Sequence, residues 1–337
     1  MEYILNKTPI RTTNNFGIND IKLDLNIKET SFNDYIFSSE KNLIINKEIK
    51  NDFESKIGLK SNKYLDLVIN PKKNIDKLII NYNFDEKNNY LASFITINLD
   101  YDMNAIICFR GNNSFLNFKL KVKDTGNNKS NITIVNLCND SSTSFISIEN
   151  EVNNNSNNTI NYIDISGKVR VSNYYSIING LNGISNFNTI FIGDNDDRLD
   201  MNYYTKNNNS KTISNMIFEG VLLGNSYKSL KGIIDFTKNS KSSKGDEKEN
   251  CLLLSDNCKS KSLPMLLCEE EDVEGSHSLS SGKIDEDKLF YLMCRGLSKK
   301  ESILLIVKSN FKPILDNIFD DNIKNEVINI IDKKIGD

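Results

Sequence analysis

"NCLLLSDNCKSKSLPMLLCEEEDVEGSHSLSSGKIDEDKLFYLMCRGLSKKES", residues 250–302, changes its hydrophobic period once along its length, and the fold follows from that change. Before residue 284 the apolar residues come in short runs broken by Ser, Asp and Gly, as strands joined by turns do. From Ile284 the period is helical. Asp285, Glu286 and Asp287 load the first turn with negative charge, which the helix dipole favours. "LFYLM" supplies the face expected to be buried, Arg295 stands in the last turn and Gly296 at the stop position. The same stretch holds His277, the only histidine in 337 residues, and four of the six cysteines: Cys251, Cys258, Cys268 and Cys294.

Downstream, Ser298 and Glu301 form a capping box for a second helix, "ESILLIVKS". Pro313 suits the first turn of a third helix, and Ile323, Val327, Ile330 and Ile331 make an apolar stripe on it. Upstream, from residue 78, runs rich in β-branched and aromatic residues recur: "ASFITINLDY", "NITIVNLC", "TINYIDISGKVRV", "NMIFEGVLLG". Asn, Asp, Gly and Ser punctuate them, and no helix-period segment interrupts them, which excludes a βαβ sheet. A sandwich and a β-solenoid both fit, and no strict repeat chooses between them. "TKNSKSSKGDEKENC", residues 237–251, is polar and low in complexity and is expected to be an exposed loop. The organisation expected is an N-terminal region (1–74), a β core (75–283) and a C-terminal helical region (284–337).

Hydrophobic residues make up 38% of the chain and charged residues 26%, enough for a substantial core. Lys and Arg (42) nearly balance Asp and Glu (45), so the chain has no basic field for nucleic acid or an anionic membrane. The first residues lack the basic, then apolar, pattern of a secretory signal. No apolar run approaches the ~18 residues of a membrane span. A soluble, cytoplasmic protein with free thiols is expected, since six cysteines are too sparse for a disulfide framework. Cys108 and Cys138 read as core, Cys268 as a small buried hydrophobe, Cys294 as helix packing, and Cys258 as a turn residue. No strand–GxxxxGK–helix context exists, so no nucleotide site is expected.

The residues from Leu252 to Gly296 resemble the carboxy-terminal signature of the SufB/SufD family, the scaffold subunits of the Suf iron–sulfur cluster assembly system. The resemblance lies in Leu252 to Leu254 followed by Ser255-Asp256, Pro264, the acidic segment Glu270 to Val273, Ser276-His277, Gly282, Ile284-Asp285, Leu289 to Leu292, and Arg295-Gly296. It implies a mainly β fold, a right-handed parallel β-helix (β-solenoid) with a short N-terminal region and a C-terminal helical region. There are departures. Gly275 stands where the family often has cysteine before Ser-His, and Ser278-Leu279 replaces Gly-Ala. Glu249 occupies the cluster-related cysteine position of SufB-type members, two residues before Cys251. Two residues apart on a strand share a face, so Cys251 presents its thiol to the same side.

The resemblance implies a non-catalytic scaffold that dimerises through the β-helix, with itself or with a SufB/SufD-like sister subunit. It would bind a SufC-like ABC ATPase, receive sulfur from a cysteine desulfurase, and hold a transient iron–sulfur cluster. The implied ligands are His277 and Cys251 with one of Glu249, Glu269, Glu271 or Glu274, an incomplete set suited to a cargo that must leave. The run Glu269 to Asp272 also reads as a solvated face. The implied ATPase-docking surface is Leu289, Phe290, Tyr291 and Arg295, and the helices after residue 284 are expected to seal the open end of the solenoid. Two other classes remain open: a β-helix enzyme acting on polysaccharide through clustered acids and Ca²⁺, and a purely structural solenoid.

Overall fold

The computed structural model describes residues 1–10, 12, 18–31, 35–37 and 42–336. Among the described residues the strands form two nine-stranded sheets and one two-stranded antiparallel sheet, and from Lys60 onward alternate strands along the chain fall in alternate large sheets. Within each sheet the pairing is parallel over about eight turns, so the chain winds as a β-solenoid. The first parallel strand, Lys60–Pro71, pairs with Tyr90–Leu99, so winding begins ahead of residue 75.

Each strand alternates between the lumen and the outer face, and in-register pairing stacks equivalent positions into columns. Leu120, Ile148, Tyr174 and Tyr203 make one lumen column. Ala105, Ile132, Ile160, Phe187 and Met216 make one on the other sheet. All nine are buried. Tyr174 and Phe187 stack across the lumen with centroids 4.0 Å apart. Burying each such side chain stabilises the fold by roughly 1.5–3 kcal/mol. No repeat is visible in the sequence because the turns differ in length: Phe115, Thr143, Val169, Arg198, Tyr227 and Lys259 share a column at unequal spacing.

The two ends differ. At the N-terminal end Leu43–Glu54 and Tyr35–Phe37 pair antiparallel with the first strands and close their edges. At the other end Lys259–Cys268 and Val273–Gly282 are the outermost strands of the two sheets.

Three helices follow: α1 (Glu286–Cys294), α2 (Lys299–Leu315) and α3 (Asp321–Gly336). The capping box of Ser298 and Glu301 is formed in full, and Gly296 takes a φ of 96° just past α1. Two expectations fail here. Pro313 lies inside the last turn of α2 instead of opening a third helix. The helices also do not seal the open end. Val307, Phe311, Ile314, Ile323, Val327 and Ile331 pack instead on Ile106, Val135, Ile163, Ile190 and Val221, the outer face of one sheet. That face is apolar where the lumen face of the same strands is already satisfied, so it offers the area an amphipathic helix pair needs.

Candidate functional site

The segment expected to be a loop forms most of a strand, Ser243–Leu253. Lys244, Asp246 and Lys248 face outward, while Ser243, Gly245, Glu247, Glu249 and Cys251 are buried facing the lumen. Here the lumen columns change character. The column of Ile132, Ile160, Phe187 and Met216 continues as Glu247 and then His277. The column of Phe218 continues as Glu249, and that of Phe191 and Gly220 as Cys251.

Glu249 is 3% exposed and forms an ion pair with Lys228, which is fully buried on the facing sheet and also donates to Ser262 Oγ at 2.8 Å. The pair joins the ammonium to Glu249 Oε1, which offsets part of the desolvation of both charges, while Glu249 Oε2 has no hydrogen-bond partner. Glu247 is fully buried, and neither of its carboxylate oxygens has a hydrogen-bond partner. Burial first, then the charge of Glu249, push its carboxyl up to about 8, against the pull of Lys228. Cys251 is fully buried, and desolvation pushes its thiol up to about 11. A thiol so placed stays protonated until a metal or a structural opening changes its surroundings.

His277 is exposed on the last turn, in register with Glu247. Cys251 is in register with Ser281, four residues further along, so His277 and Cys251 stand about 13 Å apart along the strand direction. Glu274 is exposed and bridges Lys244 at 2.8 Å. Glu269 and Glu271 lie at the exposed turn between the last two strands. Among the described residues, no three His, Cys, Asp or Glu side chains are arranged to hold a metal ion. The structure therefore gathers Glu249, Cys251 and Lys228 in the lumen with His277 one strand beyond, and leaves Glu269, Glu271 and Glu274 outside.

Other cysteines depart from expectation. Cys268 and Cys294 are exposed, and Cys258 is buried with its thiol donating to Ser255 O. Cys268 ends a strand in the last turn, where no further turn covers it. Cys108 and Cys138 are buried as expected.

No residue of α1 is buried, contrary to the reading of "LFYLM" as a packed face. Phe290 is 68% and Tyr291 57% exposed, Leu289 is half-buried, and Arg295 lies over the Tyr291 ring while donating to its hydroxyl at 3.0 Å. No helix among the described residues is long and apolar enough to cross a membrane.

Sequence reasoning missed Glu247 and Lys228. The signal was there: in "SKGDEKENC" small, acidic and thiol residues alternate with outward charges at a strand period, but no apolar residue marks the buried face.

The family model for the SUF system FeS cluster assembly, SufBD core domain, matches residues 93–310. The iron–sulfur cluster assembly protein SufD of Bacillus subtilis (strain 168) is 26% identical over 116 residues, 34% of this chain and 26% of that protein. A SufBD family iron–sulfur cluster assembly protein of Pyrococcus horikoshii is 42% identical over 78 residues, 23% of this chain and 18% of its own. One of Synechocystis is 23% identical over 142 residues, 42% of this chain and 30% of its own. The chain thus spans under a third of the length of each of these relatives.

Proposed function

The chain belongs to the SufB/SufD family, and from that premise we propose that it is a non-catalytic scaffold on which an iron–sulfur cluster is built and then handed on. One observation carries the reading: the lumen column of Ala105, Ile132, Ile160, Phe187 and Met216 is apolar through the solenoid and turns to Glu247 and His277 where the winding ends, on the strands that also carry Glu249 and Cys251. Burying Glu247 and Glu249 instead of apolar side chains costs stability, a cost that function explains and packing does not.

The donor set of one copy is incomplete; His277 lies on the strand that is outermost in its sheet among the described residues, and the strand bearing Glu247, Glu249 and Cys251 is its neighbour. A second copy, or a sister subunit, joined at Lys259–Cys268 and Val273–Gly282 would pair those edges and bring two sets of donors together. The cluster is the cargo. Imidazole, thiolate and carboxylate all bind iron, and fewer than four thiolates hold it loosely enough for transfer. Phe290, Tyr291 and Arg295 would dock a SufC-like ATPase, which hydrolyses the ATP, and a cysteine desulfurase would supply sulfur.

Anaerobic reconstitution with iron, sulfide and reductant tests this. Wild-type protein is expected to turn brown and to retain iron and sulfide through desalting. His277→Ala and Cys251→Ser are expected to load less. Because His277 is exposed, its loss leaves the thermal midpoint unchanged, so reduced loading on the same sample reports function. Wild-type protein that keeps no iron or sulfide would sink the scaffold reading.

A further inference from the structure

We propose that Glu247 is the carboxylate that joins His277 in receiving iron(II), a two-donor site spanning the last two turns of the solenoid. This deepens the scaffold reading and rests on it. The other carboxylates near the site are engaged or misplaced. Glu249 is held by Lys228, which Ser262 fixes in turn. Glu274 points outward into an ion pair with Lys244. Glu269 and Glu271 lie at an exposed turn, away from the lumen. Glu247 alone of these five faces the lumen with both oxygens unpartnered, and it does so fully buried.

The surroundings are shaped to hold it. One turn earlier the facing column carries Tyr203, and at the level of Glu247 it carries Gly232. A methyl group added at Gly232 would stand 1.9 Å from Glu247 Oε1 and 2.6 Å from Oε2. Gly232 thus vacates the space that this carboxylate fills. An unpartnered buried carboxyl costs several kcal/mol, and no hydrogen bond in the lumen offsets it. His277 follows Glu247 directly in its column, one strand spacing of about 4.8 Å away. His277 is exposed at the open end of the column, the end from which an ion would reach the carboxylate. Oxygen and nitrogen donors suit a ferrous ion. Two donors leave the other coordination positions to water, to sulfide or to a second copy.

Anaerobic titration with iron(II) alone, followed by equilibrium dialysis and metal analysis, tests the assignment. The absorption of cobalt(II) serves as a spectroscopic check on the ligand set. Wild-type protein is expected to bind iron(II) saturably. Glu247→Gln keeps the side-chain shape and has no partner to lose, and is expected to weaken affinity roughly tenfold or more. Glu247→Asp, which withdraws the carboxylate from Gly232, is expected to weaken it as well and covers the case in which the amide variant fails to fold. Glu219→Gln alters a partly buried carboxylate hydrogen-bonded to Asn250 on the outer face, and is expected to change nothing. Equal iron(II) affinity in wild type and in the folded Glu247 variants overturns the inference. So does a wild type that binds no iron(II). The scaffold reading is judged separately, by cluster retention after reconstitution with sulfide.

Discussion

A carboxyl buried in the lumen keeps its proton past the pH at which an unfolded chain loses it, and Glu247 makes that visible in stability. Its folded value, about 8, lies above the ordinary glutamate value of 4.5. Between those two pH values the folded state holds a proton that the unfolded state has released. Stability from this group is therefore full below pH 4.5 and declines as pH rises towards 8, by up to ~1.4 kcal/mol per unit. Glu219, raised to about 7 by burial, acts with the same sign, so the comparison must be between variants. Urea midpoints between pH 5 and pH 8 are expected to fall more steeply in wild type than in Glu247→Gln. Parallel slopes would show that Glu247 is ionised or hydrated in the folded protein.

Among the elements, α1 is the one whose structure and exposure point apart. Asp285 caps it through the N–H groups of Asp287 and Lys288, Gly296 ends it, and yet none of its residues is buried. A short helix is marginal in water without packing, so an exposed Phe290 and Tyr291 held in one orientation fit a surface awaiting a partner. Phe290→Ala and Tyr291→Ala are expected to reduce co-purification with a SufC-like ATPase while leaving the thermal midpoint of the isolated chain within about 1 °C, because exposed substitutions shift stability by under ~0.5 kcal/mol. Undiminished capture by both variants would place the docking surface elsewhere. The starts of α1 and α2, the stop of α1 and the strand-rich core were legible in the sequence because capping residues, a C-terminal glycine and β-branched runs are local signals, whereas Pro313 gave the wrong start for α3. The strand Ser243–Leu253 was not. Its buried face is Ser, Gly, Glu, Glu and Cys, and a period written in polar residues reads as a loop until neighbouring turns supply the columns. Likewise, exposure along "LFYLM" depends on what α2 and α3 cover, and they cover a sheet.

At the scale of the molecule, the two ends differ, and the proposed pairing of copies follows from that difference. The N-terminal end is closed by antiparallel strands, and the far end stops at a turn whose lumen residues Pro264, Leu266, Val273 and Leu279 are only partly buried. An open parallel edge above half-covered apolar side chains is an aggregation hazard unless something pairs with it. A symmetric dimer answers this with a closed contact, since a two-fold axis at the end strands matches each edge to its own copy and leaves no edge to propagate. It would also set the two His277 strands side by side, with a Glu247 beneath each His277 and a Cys251 beneath each Ser281. Charge placed in that contact is the sharpest probe. Leu279 shares a strand and a face with His277 but carries no chemistry, so Leu279→Lys would bury two like charges across the axis while sparing every donor. Light scattering coupled to size exclusion is expected to shift from dimer towards monomer in this variant, with circular dichroism unchanged. Iron and sulfide retention is expected to fall with the dimer fraction, because each copy alone offers too few donors. A Leu279→Lys variant that stays dimeric would put the contact on another face, and a monomer that retains a full complement of iron and sulfide would show that one copy suffices.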